Sequence, residues 1–296
     1  MGRKESFVIK NGVLYGAGSP SSLGFNTFGI PERNTTTGHI DTFAETGQTN
    51  VTDVATGVGV TLIVKENKLF GTCLNCNGSL GIPISNNDAK LWTYLGIDNP
   101  LKIDTNWFSS FVVTSDNRLL STGRRDYAQL GLGNANSSPV VTWTESTLIT
   151  NVTDVKTTGK TTYAISNGSL HSVGHNGSTG ELGVNYAYYN NKRTYWTDLN
   201  ETGVLLISPG ADKTVIEKSD GWYGVGTNGW LEFALAENPL KVFSKLQLQN
   251  ITKMSLISMG AFAISGGKLY YSGFNMDGRT TVNESHPNYI DEWQEF

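Results

Sequence analysis

The sequence predicts an all-β protein, a six-bladed β-propeller that runs over residues 1–296 as a single domain. Three observations predict it. A β-hairpin signature recurs six times, over 7–18, 62–73, 111–123, 163–174, 215–226 and 262–273. The large apolar residue after each turn (Leu14, Leu69, Leu119, Leu170, Trp222, Leu269) returns at steps of 55, 50, 51, 52 and 47 residues. A second anchor, the aromatic that follows each hairpin (Phe43, Trp92, Trp143, Trp196, Phe243, Trp293), keeps its own register at steps of 49, 51, 53, 47 and 50. Strand-built units at such a period mark a propeller or a similar array, because one unit cannot bury its apolar face alone.

The hairpin is clearest at 161–174. Tyr163, Ala164 and Ile165 form a first strand, Asn167-Gly168 is the turn, and Leu170 begins the return strand, which ends at Gly174. Asn-Gly is the strongest two-residue hairpin signal because both positions tolerate positive φ. Ahead of the hairpin stands an opening strand, written Asn50-Val51-Thr52-Asp53-Val54, Asn151-Val152-Thr153-Asp154-Val155 and Asn250-Ile251-Thr252-Lys253-Met254 in three of the units. After it come a Gly-rich turn, a loop and the strand that carries the aromatic anchor. Four strands per unit make a propeller blade.

The Gly-rich turns read 73–81, 123–133 and 174–183, the second containing Gln129-Leu130-Gly131 and the third Glu181-Leu182-Gly183, with weaker copies at 18–24, 226–229 and 273–275. Together with the preceding strand they resemble the regulator-of-chromosome-condensation repeat, whose core is Gly-x-Asn-x-x-Gly-Gln-Leu-Gly. The resemblance covers the whole chain and implies a propeller fold. It departs from the family's pattern in that one copy alone keeps Gln-Leu-Gly, and in that six units are present where the best-known members have seven. What it implies for function is either guanine-nucleotide exchange on a small GTPase or a binding or structural platform of the kind found in a distant bacterial or phage branch.

The two ends together fall short of one repeat by about one strand. The expectation is therefore that Trp293 and the hairpin 7–18 share one blade, closing the ring and removing free sheet edges, with that blade carrying a shortened or missing strand.

Composition narrows the function. Twenty-two basic against 26 acidic residues leave a formal charge of −4, with no basic excess for a nucleic-acid backbone. No run approaches the roughly 18–20 apolar residues of a membrane span, so no membrane insertion is expected. Residues 1–7 lack the apolar core of a signal peptide, which points to synthesis in the cytoplasm. Cys73 and Cys76 are half a zinc site with no second half, so neither metal nor cofactor is expected, and the pair reads as two small loop residues. No phosphate loop, nucleophile elbow or repeated sialidase box is present, and none of His39, His171, His175 and His286 has a visible acid–base partner. Catalysis is not expected.

The loops are where recognition is expected, since loops at like positions of a propeller emerge on one face. Arg124-Arg125-Asp126-Tyr127 concentrates charge and an aromatic in one turn, His175 opens a loop, and Tyr186, Tyr188 and Tyr189 lie in a Tyr/Asn-rich run before Trp196. Trp230 follows another Gly-rich turn. Tyr and Arg are favoured at binding hot spots, and Tyr and Asn suit sugars. Tyr195 and Trp196 are open between a surface role and a packed outer strand. The Asn/Thr/Ser/Gly-rich composition points first to a virion-associated binding protein such as a phage tail, fibre or decoration component. It would contact host-surface glycans, a host receptor or another virion protein, as a possible oligomer within a larger assembly. The alternatives are an exchange factor or scaffold for a small GTPase or other protein, and a carbohydrate-active propeller enzyme.

Overall fold

The computed structural model describes residues 5–18, 40–73, 78–82, 89–106, 109–185, 191–275 and 289–295. The fold is the expected one: all-β and six-bladed, with each repeat an antiparallel meander and no α-helix among the described residues. By internal contacts the chain forms two compact units, Met1–Asn167 and Gly168–Phe296.

The first unit opens with β1 (Glu5–Lys10), β2 (Val13–Gly18) and β3 (Ile40–Glu45) in a three-stranded sheet, order β1-β2-β3. The second sheet is β4 (Val51–Thr56), β5 (Val60–Lys65), β6 (Lys68–Cys73) and β7 (Ala89–Asp98), and the third is β8 (Pro100–Asn106), β9 (Ser109–Thr114), β10 (Leu119–Gly123) and β11 (Val140–Glu145). The fourth repeat contributes β12 (Val152–Thr157) and β13 (Thr161–Ser166) to this unit. The second unit holds β14 (Ser169–His175) and β15 (Lys192–Thr202). It also holds a fifth sheet, β16 (Val204–Pro209) to β19 (Leu240–Lys245) by way of β17 (Lys213–Lys218) and β18 (Gly221–Gly226). Its last sheet is β20 (Ile251–Ile257), β21 (Gly260–Ser265), β22 (Lys268–Phe274) and β23 (Tyr289–Glu295).

Sequence explains the local geometry. Asn11-Gly12 and Gly266-Gly267 both have φ between 51° and 79°, as a two-residue turn matched to strand twist requires. A β-bulge recurs at the same place in every opening strand, between Val51 and Asp53, Pro100 and Lys102, Val152 and Asp154, Val204 and Leu206, and Ile251 and Lys253. Such bulges bend the strand and increase its twist, here in each of the five described opening strands.

The hairpin anchors form the core. Leu14, Leu69, Leu119 and Leu170 are fully buried, and Trp222 nearly so. In each unit the opening strand of the next repeat covers the anchor: Leu14 packs with Val51, Leu69 with Ile103, and the Trp222 indole donates to the Ile251 carbonyl at 3.2 Å. Burying such a side chain stabilises by about 1.5–3 kcal/mol. Leu269 differs, being 40% exposed, and no further repeat follows it among the described residues.

The aromatic anchors serve a second contact between repeats. A Cβ added at Gly81 would run into the Trp143 indole, and one added at Gly183 would lie 3.2 Å from the Phe243 ring. Each ring thus closes over the Gly that ends the preceding repeat's Leu-Gly turn. Hydroxyls reinforce the join: Thr122 donates to the Gly78 carbonyl at 2.9 Å, Thr162 to that of Gln129 at 2.8 Å, and Ser272 to that of Leu231 at 2.6 Å.

The expected shared blade is corrected. β23, with Trp293, pairs with β22 in the sheet of its own repeat, while β1 and β2 belong to the sheet that ends at β3. Among the described residues the first sheet has three strands where the others have four. No described strand stands there in the place of the opening strand, so that among the described strands β1 lies at a sheet edge where β5, β9, β17 and β21 lie inside.

Candidate functional site

The turn Arg124–Tyr127 follows β10 in the first unit and is braced from within. The Arg124 guanidinium donates to both carboxylate oxygens of Asp126, through Nε at 3.2 Å and through a shorter contact from its terminal nitrogen. Arg125 donates to the side-chain oxygens of Asn136 and Asn134 at 3.0 and 2.9 Å and to the Ser138 carbonyl at 2.8 Å. The Tyr127 backbone N–H donates to Gln129 Oε1 at 2.9 Å, and the Lys160 ammonium lies over the Tyr127 ring at 5.6 Å. All four residues are half-buried. The hydrogen bonds hold both guanidinium groups of the turn in place, and the Lys160 ammonium sits over the Tyr127 ring.

The remaining sequence candidates do not join that turn. Tyr186, Tyr188 and Tyr189 lie outside the described residues. His175 stands in the second unit with its Nδ1 3.5 Å from Glu181 Oε1. Burial pushes the Glu181 carboxyl up, but the neighbouring His175 and Thr179 side chains outweigh it and hold the group below the usual carboxylate range. Trp230 is half-buried, its ring 4.7 Å from that of Phe274 at 59°. Tyr195 and Trp196 prove to be part of the long outer strand β15, Tyr195 60% exposed and Trp196 half-buried. His171 sits on β14 with Nδ1 3.1 Å from the Ser169 carbonyl. His39, Cys76 and His286 lie outside the described residues.

Sequence reasoning missed two features. The first is a further copy of the Gln-Leu-Gly turn, Glu232-Phe233-Ala234, which joins Ser79-Leu80-Gly81, Gln129-Leu130-Gly131 and Glu181-Leu182-Gly183. All four leading polar residues are buried. Gln129 Oε1 takes the Tyr127 N–H, and its Nε2 reaches Ser109 Oγ at 3.3 Å. Glu232 takes the equivalent Trp230 N–H at 3.1 Å and pairs with the buried Lys213 ammonium at 2.5 Å. Lys213 begins β17 where Ser109 begins β9, so both members of the pair have changed together. The signal was a Lys inside a strand start, three residues after Gly210.

The second is a cleft of about 270 Å³ in the first unit, lined by Ser6 and Phe7 of β1, Asp53 to Thr56 of β4, Ile103 and Asp104 of β8, and Lys156 of β12. Asp104 accepts the Thr157 N–H at 2.6 Å, and Asp53 accepts the N–H of Val54 at 2.8 Å. Burial pushes the Asp104 carboxyl up to about 6, against the pull of the Lys156 ammonium and the Thr157 hydrogen bond. Its walls come from four repeats and share no local motif.

No family model matches the chain, and no curated protein matches its sequence. Solved structures do. Human WBSCR16 superposes with a TM-score of 0.78 at 14% identity, over 99% of this chain and 80% of that one. Yeast RCC1 (Prp20) bound to Kap60 gives 0.70 at 18% identity, over 91% of this chain and 64% of that one. Prp20p from Saccharomyces cerevisiae, described with its binding to Gsp1p and histones, gives 0.69 at 17% identity, over 88% and 66%. The neighbours are RCC1-like β-propellers. At these identities the likeness shows the fold. This chain spans less than two thirds of either Prp20 structure.

Proposed function

We propose that the chain is a non-catalytic, protein-binding propeller. The observation that carries this is the turn 124–127, where five hydrogen bonds fix the side chains of Arg124 and Arg125 and an ammonium lies over the ring of Tyr127 in the same turn. A pre-ordered Tyr/Arg site loses little side-chain entropy on binding, which is what hot spots exploit. The fold neighbours support a protein as the ligand, since Prp20 is described with Kap60, with Gsp1p and with histones. The virion and glycan readings rest on composition alone, so the scaffold alternative is the better supported of the two.

The test is a photo-cross-linking residue at position 127, used in an extract of the source cells and read by mass spectrometry. One discrete protein adduct, lost when Arg125→Ala loosens the turn, supports the proposal; labelling that ignores Arg125→Ala overturns it. In a direct binding assay with the partner so identified, Tyr127→Ala is expected to weaken binding ~30-fold or more, the ≥2 kcal/mol of a hot spot. The narrower exchange-factor reading is checked by nucleotide release from that partner if it is a GTPase.

A further inference from the structure

Two cations at the turn 124–127 have no carboxylate among the described residues. Arg124 is neutralised within the turn by Asp126. Arg125 is held by neutral acceptors alone, the side-chain oxygens of Asn134 and Asn136 and the Ser138 carbonyl, and these reach only its Nε and Nη1. Its Nη2 makes no hydrogen bond among the described residues. The Lys160 ammonium has the Tyr127 ring beneath it and forms no ion pair among the described residues. The sequence explains the imbalance. No Asp or Glu occurs between Asp126 and Glu145, or between Asp154 and Glu181, and Glu145 is taken by Arg118. The site thus sets three cations, Arg124, Arg125 and Lys160, against one carboxylate, Asp126, in a chain whose formal charge is −4.

We propose that this turn binds an acidic segment of the protein partner, whose Asp or Glu carboxylates meet Arg125 and Lys160. This rests on the protein-binding reading and names the chemistry of the partner at the same site. Hydrogen bonds to neutral oxygens aim a guanidinium without cancelling its charge, and the Nη2 N–H groups are left for a carboxylate. The ring under Lys160 acts in the same way, since a cation–π contact orients an ammonium and leaves its charge in place. Both cations are therefore positioned before the partner arrives, which lowers the entropy lost on binding. An apolar partner would cover these charges without compensating them, which is costly. Nucleic acid, the other common polyanion, is held by a row of cations along its phosphates, and this site offers two. Complementary charge of this kind speeds encounter and rejects wrong partners.

The probe is a capped, fluorescein-labelled octaglutamate peptide, titrated with the full-length protein at low ionic strength and read by fluorescence anisotropy. Saturable binding is expected, and octaglutamine is expected not to bind. Arg125→Gln and Lys160→Gln should each weaken binding ~3-fold, and together ~10-fold, the effect of one exposed charge pair apiece. Lys102→Gln with Lys253→Gln removes the same charge from exposed positions on β8 and β20 and should leave binding unchanged. Equal weakening by the two double variants, equal binding of an oligothymidylate of the same charge, or no binding at millimolar peptide overturns the inference. Lys160 stands outside the 124–127 turn, so Lys160→Gln keeps the test decisive where Arg125→Gln disturbs the turn, and circular dichroism checks that each variant is folded. Capture of a partner at position 127 that Lys160→Gln leaves unchanged, with no octaglutamate bound, would leave the protein-binding reading standing and remove this one.

Discussion

Replacing Lys213 by Ser leaves the Glu232 carboxylate fully buried without its cation. The pair is 2.5 Å apart, with side chains 3% and 0% exposed, and the remaining partner of Glu232 is the Trp230 N–H. Breaking one side of such a pair costs about 3–5 kcal/mol, because a charge stays buried without compensation. The third repeat shows the neutral solution, Ser109 with Gln129 at 3.3 Å. The double variant Lys213→Ser with Glu232→Gln should therefore recover most of the loss. What it does not recover is the Ser258 carbonyl, which now accepts from the Lys213 ammonium at 3.0 Å and would be left unsatisfied, at about 1–2 kcal/mol. The assay is urea unfolding of the wild type, both single variants and the double, followed by tryptophan fluorescence and closed as a double-mutant cycle. The expected coupling between the two sites is at least ~2 kcal/mol. A double variant that loses the sum of the two single losses would refute the idea that the two repeats solve one packing problem in two ways.

Other consequences are open to measurement. Gly81→Ala, at φ +65° beneath the Trp143 indole, should cost ~2 kcal/mol or more, while Gly47→Ala, at φ +76° with nothing within 4 Å, should cost ~1 kcal/mol. Leu119→Ala should cost about 2–5 kcal/mol in chemical denaturation, and Leu269→Ala, already 40% exposed, less than ~1 kcal/mol. Asp104 is raised in the folded state to about 6 from 3.8, so the native protein holds its proton where the unfolded chain has released it. Its contribution to stability therefore falls as pH rises from about 4 to about 6, then stays constant. Asp104→Asn, which can still accept the Thr157 N–H, should gain on the wild type across that window by about 1–3 kcal/mol and show no further gain above it. A gain that does not change between pH 4 and 7 would mean that Asp104 is not held out of water.

The repeat was legible because its signals are local. Asn11-Gly12 and Gly266-Gly267 announce turns from two residues, and Leu14, Leu69, Leu119 and Leu170 mark the same buried slot at a constant period. Leu14, Leu69, Trp222, Trp143 and Phe243 proved to be contacts between repeats, which keeps their spacing regular while the loops between them vary, whereas Phe43 and Leu269 are exposed. Glu232-Phe233-Ala234 was not legible as a copy of Gln-Leu-Gly, because each of its residues differs and its Glu is explained by Lys213, 19 residues away. The length of the two ends did not show which sheet β23 joins. Residue counts are indifferent to whether β23 pairs with β22 or with a strand of the first repeat, and hydrogen bonding decided for β22. At the candidate site, the 124–127 turn stood out by composition, yet nothing in the order of residues showed that its arginines are engaged by Asp126, Asn134 and Asn136. The cleft was invisible, since Phe7, Asp53, Asp104 and Lys156 come from four repeats.

Residue-resolved hydrogen exchange at the edge of β1 tests the account most directly. The amide of Ile9 should exchange quickly in the free protein, while those of Val64 and Val113, at the same place in β5 and β9 and covered by opening strands, exchange slowly. An Ile9 amide as protected as Val64 and Val113 would show that a strand lies against β1, and would contradict a first sheet that ends at β1.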